Sequence, residues 1–231
     1  MKIFAISDLH LSINSPKPMD IFGPVWSNYL DQIISSWNEK VSEEDIVLIA
    51  GDISWAMILS DAKKDLDFIS NLKGKKIIIR GNHDYWWKSI TQVRNVLPEN
   101  MFAIQNDCLN LGEFVFCGSR GWQVPEKTFN NLEDKKIFDR ELIRMELSLS
   151  QADKKFPNLE KYVLIHYPPF NSKYEDSDFT RLFEKYNVKK VIYGHLHGKD
   201  SRSQKLIVKN GIEYHLTSCD LVNNNLVLIE G

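Results

Sequence analysis

The chain has 231 residues, with 29 lysines and arginines against 31 aspartates and glutamates, and its formal net charge is -2 at pH 7. Hydrophobic residues make up 43% of the sequence and charged residues 26%, so the chain can bury a core and is neither disordered nor a coiled coil. The balanced charge excludes a broad basic surface for nucleic acid, but it leaves room for a small anionic substrate at a locally positive site.

The sequence gives no sign of a disulfide framework, a signal peptide or a membrane-spanning segment. Its three cysteines, Cys108, Cys117 and Cys219, show no Cys-x-x-Cys spacing, which also disfavours a cysteine zinc site. The apolar run at residues 3–6 is too short for a signal peptide, and no later run reaches the roughly 18 residues of a membrane span. We expect a single domain over residues 1–231, located in the cytoplasm and not at a membrane.

Short apolar runs of strand length alternate with helical patterns along the chain. Strands are predicted at 3–6, 46–50, 77–79, 162–165 and 191–193, and helices at 24–41, 58–72 and 134–152. The strand runs are continuous, which is typical of parallel strands buried on both faces. Further β-like runs at 101–104, 114–117, 206–208, 214–217 and 226–229 predict a second, more antiparallel sheet. The expected fold is therefore α/β, a two-sheet ββ sandwich flanked by helices.

Each of the first five predicted strands ends in polar residues that can bind a metal. These residues are Asp8, His10, Asp52, Asn82, His166, His195 and His197, with His83 beside them. The carboxyl ends of parallel strands meet at one edge of a sheet, so we expect these side chains to converge. Imidazole nitrogens mixed with carboxylate and amide oxygens suit divalent Mn, Fe, Co or Zn. Seven ligands are too many for one ion and enough for two if a carboxylate bridges them.

The motifs resemble those of the calcineurin-like metallophosphoesterases. They are Asp-x-His at 8–10, Gly-Asp at 51–52, Gly-Asn-His-Asp at 81–84, the lone His166 and Gly-His-x-His at 194–197, in the order found in that family. The second motif lacks the arginine of protein Ser/Thr phosphatases, and Trp55 stands where purple acid phosphatases have a metal-binding tyrosine. The sequence is thus more similar to the small, single-domain prokaryotic branch.

The resemblance implies a role for each motif residue and a ββ sandwich fold. Asp8, His10 and His197 would hold one metal, and Asn82, His166 and His195 the other. Asp52 would bridge the two ions, Asn82 would also contact substrate, and His83 would assist the leaving oxygen. The implied cofactors are two divalent ions, manganese in the first instance, with iron, cobalt or zinc as alternatives.

Other residues are candidates for the substrate pocket. Arg120, in a glycine-flanked turn, could bind a phosphate oxygen or could simply be solvated. The loop at 12–23 begins next to His10, so it could line the pocket or form a surface excursion. Trp55, Trp86 and Trp87 could stack on substrate or pack in the core. Asp84 is expected to support the site by hydrogen bonding, and His215 to be structural.

The predicted function is hydrolysis of a small phosphate mono- or diester, nucleotides included, by in-line attack of a metal-bridging hydroxide. His83 is expected to donate to the leaving oxygen. The alternatives are a catalytically inactive binding or scaffold module with this fold, and a metal amidohydrolase, against which the order of the motifs speaks. The sequence does not predict the oligomeric state.

Overall fold

Two β-sheets pack face to face in the computed structural model, which describes residues 1–14, 17–129, 131–198 and 203–231. The strands are β1 (Ile3–Ala5), β2 (Ile46–Ile49), β3 (Lys75–Ile78), β4 (Met101–Ala103), β5 (Cys108–Leu111), β6 (Phe114–Ser119), β7 (Glu160–Ile165), β8 (Val188–Tyr193), β9 (Leu206–Lys209), β10 (Ile212–Leu216) and β11 (Val227–Glu230). The helices are α1 (Tyr29–Lys40), α2 (Leu59–Ser70), α3 (Ile90–Val96), α4 (Leu132–Lys155) and α5 (Asp178–Lys185). The predicted α/β class and the two-sheet sandwich are confirmed.

Both sheets are parallel at their centres and antiparallel at their edges. The five-stranded sheet has the order β11-β1-β2-β3-β4, in which only β11 runs antiparallel. The six-stranded sheet has the order β5-β6-β7-β8-β10-β9, with antiparallel edge strands β5 and β9. Helices connect the successive parallel strands from β1 to β4 in the first sheet and from β6 to β8 in the second, as is usual for parallel crossovers.

The predicted membership of the second sheet was correct for the runs at 114–117, 206–208 and 214–217, which lie in β6, β9 and β10, and wrong for the other runs. The runs at 101–104 and 226–229 form β4 and β11 of the first sheet, whereas the runs at 162–165 and 191–193 lie in β7 and β8 of the second. That sheet is also largely parallel, because α4 and α5 link β6, β7 and β8 through two successive βαβ crossovers. A continuous apolar run marks a strand as buried on both faces but does not say which sheet it joins.

The core explains why the strand sequences are apolar without alternation. In β2, Ile46 and Leu48 pack between the two sheets, whereas Val47 and Ile49 pack against the helices on the outer face. In β7, Leu164 faces the space between the sheets and Val163 faces the outer helices α4 and α5. Both faces of the central strands are therefore buried, as the continuous runs predicted.

The predicted helices form with adjusted boundaries. The pattern at 24–41 divides into a 3-10 turn at Pro24–Trp26 and α1, because Asn28 takes a left-handed conformation with a φ of 51°. Helix α4 extends beyond its predicted 134–152 range and begins after Asn131, whose side chain accepts a hydrogen bond from the backbone N–H of Asp134. Helices α3 and α5 were not predicted, since each is only about two turns long. Within the described ranges, no helix combines the length and the apolar character needed to cross a membrane.

Candidate metal centre

Motif residues from both sheets meet at one edge of the sandwich. Those that follow strands of the five-stranded sheet are Asp8, His10, Asp52 and Asn82. Those that follow strands of the six-stranded sheet are His166, His195 and His197. The predicted convergence is therefore present, and it joins the two sheets rather than the strands of one.

Three of these residues form a compact first group. The ligand atoms of Asp8, His10 and His197 all lie within 4.8 Å of one another. His197 Nε2 lies 3.4 Å from Asp8 Oδ1 and 3.4 Å from His10 Nε2. Two imidazole nitrogens and a buried carboxylate thus face a common point, which is the arrangement of a divalent metal site.

A second group forms around Asn82. Its Oδ1 atom lies 2.6 Å from His166 Nε2 and 2.9 Å from His195 Nδ1. The Nδ1–H of His166 donates to the carbonyl oxygen of Ala50 at 2.9 Å, so Nε2 carries the lone pair that faces Asn82. Two acceptor atoms only 2.6 Å apart need a proton or a cation between them.

The Asp52 carboxylate lies between the two groups. Its Oδ2 atom is 3.9 Å from His10 Nε2 and 3.5 Å from His166 Nε2. Its Oδ1 atom accepts a hydrogen bond from the backbone N–H of His83 at 2.8 Å. This position between the groups is the one that a bridging ligand would need.

The backbone at these strand ends is strained. Asp8, His10, Asp52 and His195 all have positive φ angles, of 59°, 47°, 52° and 72°. Such conformations are uncommon for residues other than glycine and persist where the surrounding structure imposes them. The abrupt change of backbone direction at the end of each strand directs these four side chains into the shared cluster.

Two glycines make the close approach of the loops possible. A side chain at Gly81 would collide with the Asp52 carboxylate, and one at Gly194 would collide with the Asp8 carboxylate. The space gained at Gly194 lets the backbone N–H of His195 approach Asp8, with 3.1 Å to each carboxylate oxygen. Both carboxylates are thereby held by main-chain groups of a neighbouring loop.

Two further aspartates hold the cluster in place. Asp84, which the sequence singled out without a partner, accepts hydrogen bonds from the backbone N–H groups of Ile53, Ser54 and Gly81 and from Trp86 Nε1. Asp220 was missed: its carboxylate accepts hydrogen bonds from His197 Nδ1 and from the backbone N–H of Gly198, both at 2.9 Å. A polar residue after the β-like run at 214–217 is the signal that identified the other sites, and it could have identified Asp220.

Burial and neighbouring groups shift the pKa values of the proposed ligands in both directions. Burial lowers the pKa of His10 to about 3 and the pKa of His195 to about 4, so both side chains are in the neutral form that binds metal. Burial, and then the negative charges of Asp8 and Asp84, raises the pKa of Asp52 to about 9. Burial acts against the charge of His197, but its hydrogen bonds with Asp220 and Asp8 prevail and raise its pKa to about 10.

A cavity of 420 Å³ opens over the cluster. Its walls include the apolar side chains of Met19, Phe22, Trp26 and Trp55, and His83 also lines it. The Trp55 ring stacks on His10, with the centroids 4.7 Å apart and the planes at 19°. Met19 and Phe22 belong to the loop at 12–23, which supports the prediction that this loop lines the pocket. Residues 15 and 16 of the loop lie outside the described residues.

The remaining candidates lie elsewhere. Trp86 and Trp87 are fully buried in the core of the five-stranded sheet, so for them the packing interpretation holds. Arg120 does not line the cavity over the cluster: its guanidinium lies 3.5 Å from Glu141 and 4.9 Å from the Trp122 ring centroid. The buried His215 is hydrogen bonded to Glu213 at 3.0 Å, in agreement with a structural role.

The family model for calcineurin-like phosphoesterases matches residues 1–199 of this chain. The chain belongs to the calcineurin-like phosphoesterase family. The resemblance drawn from the motifs is thereby confirmed. Membership of this family of calcineurin-like phosphoesterases supports a phosphoesterase, and hence hydrolase, activity and implies divalent metal ions.

Two curated relatives of this calcineurin-like phosphoesterase are named probable cyclic nucleotide phosphodiesterases. The one from Coxiella burnetii is 26% identical over an alignment of 209 residues that covers 85% of this chain and 76% of that protein. The one from Vesicomyosocius okutanii is 26% identical over an alignment of 165 residues that covers 66% of this chain and 62% of that protein.

Solved structures share the calcineurin-like phosphoesterase fold of this chain. A Thermus thermophilus protein superposes with a TM-score of 0.60 at 12% identity, covering 99% of this chain and 97% of its own. The phosphopantetheinyl hydrolase of Mycobacterium tuberculosis superposes with a TM-score of 0.59 at 14% identity, covering 99% and 95%. At these identities the likeness concerns the fold alone.

Proposed function

We propose that this chain hydrolyses a phosphate ester with the help of two divalent metal ions. Asp8, His10 and His197 would hold one ion, Asn82, His166 and His195 the other, and Asp52 would contribute to both. The observation that carries the proposal is the convergence of acceptor atoms, above all the 2.6 Å separation of His166 Nε2 and Asn82 Oδ1. Imidazole nitrogens mixed with carboxylate and amide oxygens fit manganese, iron, cobalt or zinc, and we propose manganese first.

The protein positions the reacting groups. Two ions bound here would supply Lewis acidity, which activates water for in-line attack on phosphorus and neutralises charge on the phosphoryl oxygens. Asp52 Oδ2, between the two groups, keeps their spacing, while the N–H of His83 fixes its other oxygen at 2.8 Å. The Oδ1 atom of Asn82 faces His166 and His195. Its amide N–H₂ is therefore left available to a phosphate oxygen.

We assign the leaving-group step to His83. Its imidazole lines the cavity over the cluster and lies 4.7 Å from the Trp55 ring and 5.7 Å from the His10 ring, between centroids. Its backbone N–H is already used by Asp52, which anchors the residue while the ring stays outside the two ligand groups. From this place the ring can donate to the departing oxygen of the ester.

The proposed substrate is a small phosphate mono- or diester, with nucleotides among the candidates. The 420 Å³ cavity is of the size that small-molecule sites have, and its aromatic walls offer a face for an aromatic leaving group or a base. The two relatives named probable cyclic nucleotide phosphodiesterases support a diester.

The test is hydrolysis of p-nitrophenyl phosphate and bis-p-nitrophenyl phosphate by the purified protein with Mn, Fe, Co or Zn added in turn. We expect turnover of at least one ester, with the highest rate in Mn, and loss of turnover in a chelator. A protein that carries two metal ions per chain and hydrolyses neither ester would instead be a binding module with this fold.

The Asp52→Asn variant tests the shared carboxylate. We expect it to lose most of the turnover, by a factor on the order of 100 or more, and to retain less metal, because the amide brings no negative charge to either ion. Asp31→Asn, an exposed carboxylate on α1, is the matched control and should behave as the wild type. Wild-type turnover in Asp52→Asn would remove the proposed role.

A further inference from the structure

A second pocket, of 270 Å³, lies beside the metal centre between helix α4 and the carboxyl ends of β3, β4 and β6. We call it the basic pocket, and it is lined by Arg80, Lys88, Ser119, Arg120, Arg140 and Arg144 around the carboxylate of Glu141. It shares no lining residue with the cavity over the metal centre. The two sites are nevertheless close, because the carbonyl oxygen of Arg120 accepts a hydrogen bond from the backbone N–H of His166.

Positive charge in the basic pocket is not balanced by the protein. Five cationic side chains line it, against the single carboxylate of Glu141. Glu141 is committed to Arg144 at 2.6 Å and to Arg120 at 3.5 Å. Neither Lys88 nor Arg140 has an acceptor for its charged group in the described part of the chain. Like charges gathered in this way repel one another unless an anion joins them.

Buried donors in the basic pocket are also left without partners. The hydroxyl of Ser119, a residue only 2% exposed, has no hydrogen-bond partner among the described residues, and neither has the buried Nε–H of Arg80. Buried polar atoms form hydrogen bonds in the great majority of cases, so a buried donor without an acceptor indicates a position where a ligand could bind. Both of these residues line the same pocket, together with the charged groups.

We propose that the basic pocket is a binding site for a phosphate group. Guanidinium groups offer paired N–H donors that match the oxygens of phosphate, and a hydroxyl and a buried Nε–H add further donors. The group comes either from a second phosphate of the substrate or from free inorganic phosphate. The proposal stands independently of hydrolysis at the metal centre, because the pocket uses none of the proposed ligands.

The decisive experiment is calorimetric titration of the full chain with inorganic phosphate at low ionic strength, once with Mn and once with a chelator. We expect one phosphate per chain to bind in the chelator, and a second in Mn. The double variant Lys88→Gln/Arg140→Gln removes two charges that have no partner within the described ranges and should leave the fold intact. It should weaken the chelator-independent site about tenfold or more.

Two further variants complete the test. Ser119→Ala should also weaken the chelator-independent site, and Arg181→Gln, an exposed arginine on α5, should leave it unchanged. Thermal unfolding confirms that each variant is folded. Absence of phosphate binding by the wild type in the chelator, or wild-type affinity in both the double variant and Ser119→Ala, would overturn the proposal.

The source of the phosphate follows from kinetics with two nucleoside p-nitrophenyl diesters, one with and one without a second phosphate on the sugar. A KM raised about tenfold or more in the double variant, for the doubly phosphorylated ester alone, assigns the pocket to the substrate. If the double variant has the wild-type KM for both esters but has lost phosphate binding, the pocket is assigned to free phosphate. If neither ester is hydrolysed, the proposed function fails while the titration still decides the phosphate site.

Discussion

His83 differs from the other motif histidines in what its ring contacts. It is the one whose ring nitrogens take part in no hydrogen bond within the described ranges, although the ring lines the cavity over the metal centre. Its side chain is therefore free to act on substrate without disturbing the two ligand groups. This separation of roles allows ligation and leaving-group assistance to be tested apart.

We expect His83→Ala to lose turnover by a factor of roughly 10² to 10⁴ while keeping its metal. The measurements are steady-state hydrolysis of p-nitrophenyl esters and the metal content of the dialysed protein. His215→Gln is the matched control, since this histidine bonds to Glu213 outside the motifs, and its turnover should stay close to the wild type. Undiminished turnover in His83→Ala would refute the assignment.

Asp220 contacts the proposed ligand His197 and does not line the cavity over the candidate metal centre. Because its carboxylate accepts the Nδ1–H at 2.9 Å, it orients the ring so that Nε2 faces Asp8 and His10. Carboxylates behind a ligating imidazole typically change metal affinity 10–100-fold when they are removed.

Asp220→Asn should therefore raise the Mn concentration needed for half-maximal activity about 10–100-fold, with turnover recovering at saturating Mn. The measurement is an Mn titration of activity, with equilibrium dialysis as a check on binding. A variant with a normal Mn titration would show that Asp220 does not support the metal centre.

At the scale of secondary-structure elements, Asp84 connects the loops that follow β2 and β3 through hydrogen bonds. Its buried carboxylate accepts hydrogen bonds from Ile53 and Ser54 in the first loop and from Gly81 in the second, at 2.9, 3.1 and 2.7 Å. The first loop carries Asp52 and the second carries Asn82, so the position of Asp52 relative to Asn82 depends on this carboxylate.

We expect Asp84→Asn to lower the free energy of unfolding by on the order of 2–3 kcal/mol, because the amide N–H₂ would face backbone N–H groups that lose their acceptor. Urea unfolding followed by circular dichroism measures this loss. Asp67→Asn, which breaks only an exposed ion pair with Lys63 on α2, should cost less than about 1 kcal/mol. Equal losses in the two variants would contradict the role of Asp84.

The sequence predicted the ends of the strands better than their arrangement. A buried apolar run followed by Asp, Asn or His marked five loops, and the structure brings all seven proposed ligands together. The distribution of strands between the sheets was not predictable, because burial on both faces looks the same in either sheet. The basic pocket could not be predicted from the sequence either. Its arginines come from separate parts of the chain, after two different strands and on α4, and no motif connects them: Arg80, Arg120, Arg140 and Arg144.

At the scale of the whole molecule, the candidate metal centre joins the two sheets. Asp8 and His10 from the five-stranded sheet meet His197 from the six-stranded sheet, and Asn82 from the first meets His166 and His195 from the second. Each proposed ion would therefore take ligands from both halves of the sandwich. Since this arrangement exists only in the folded chain, metal binding should stabilise the molecule as a whole.

We expect removal of metal by a chelator to lower the Tm by about 10–20 °C relative to the protein in Mn at 100 times its Kd, given about 2.7 kcal/mol for each of the two proposed sites at that concentration and roughly 2–4 °C per kcal/mol for a chain of this size. Thermal unfolding followed by circular dichroism measures the shift. Asp52→Asn should show a smaller difference between Mn and chelator, because both proposed ions lose a carboxylate. A Tm that is the same in Mn and in chelator would mean that no ion bridges the sheets, and a full wild-type shift in Asp52→Asn would place the stabilising ion away from this carboxylate.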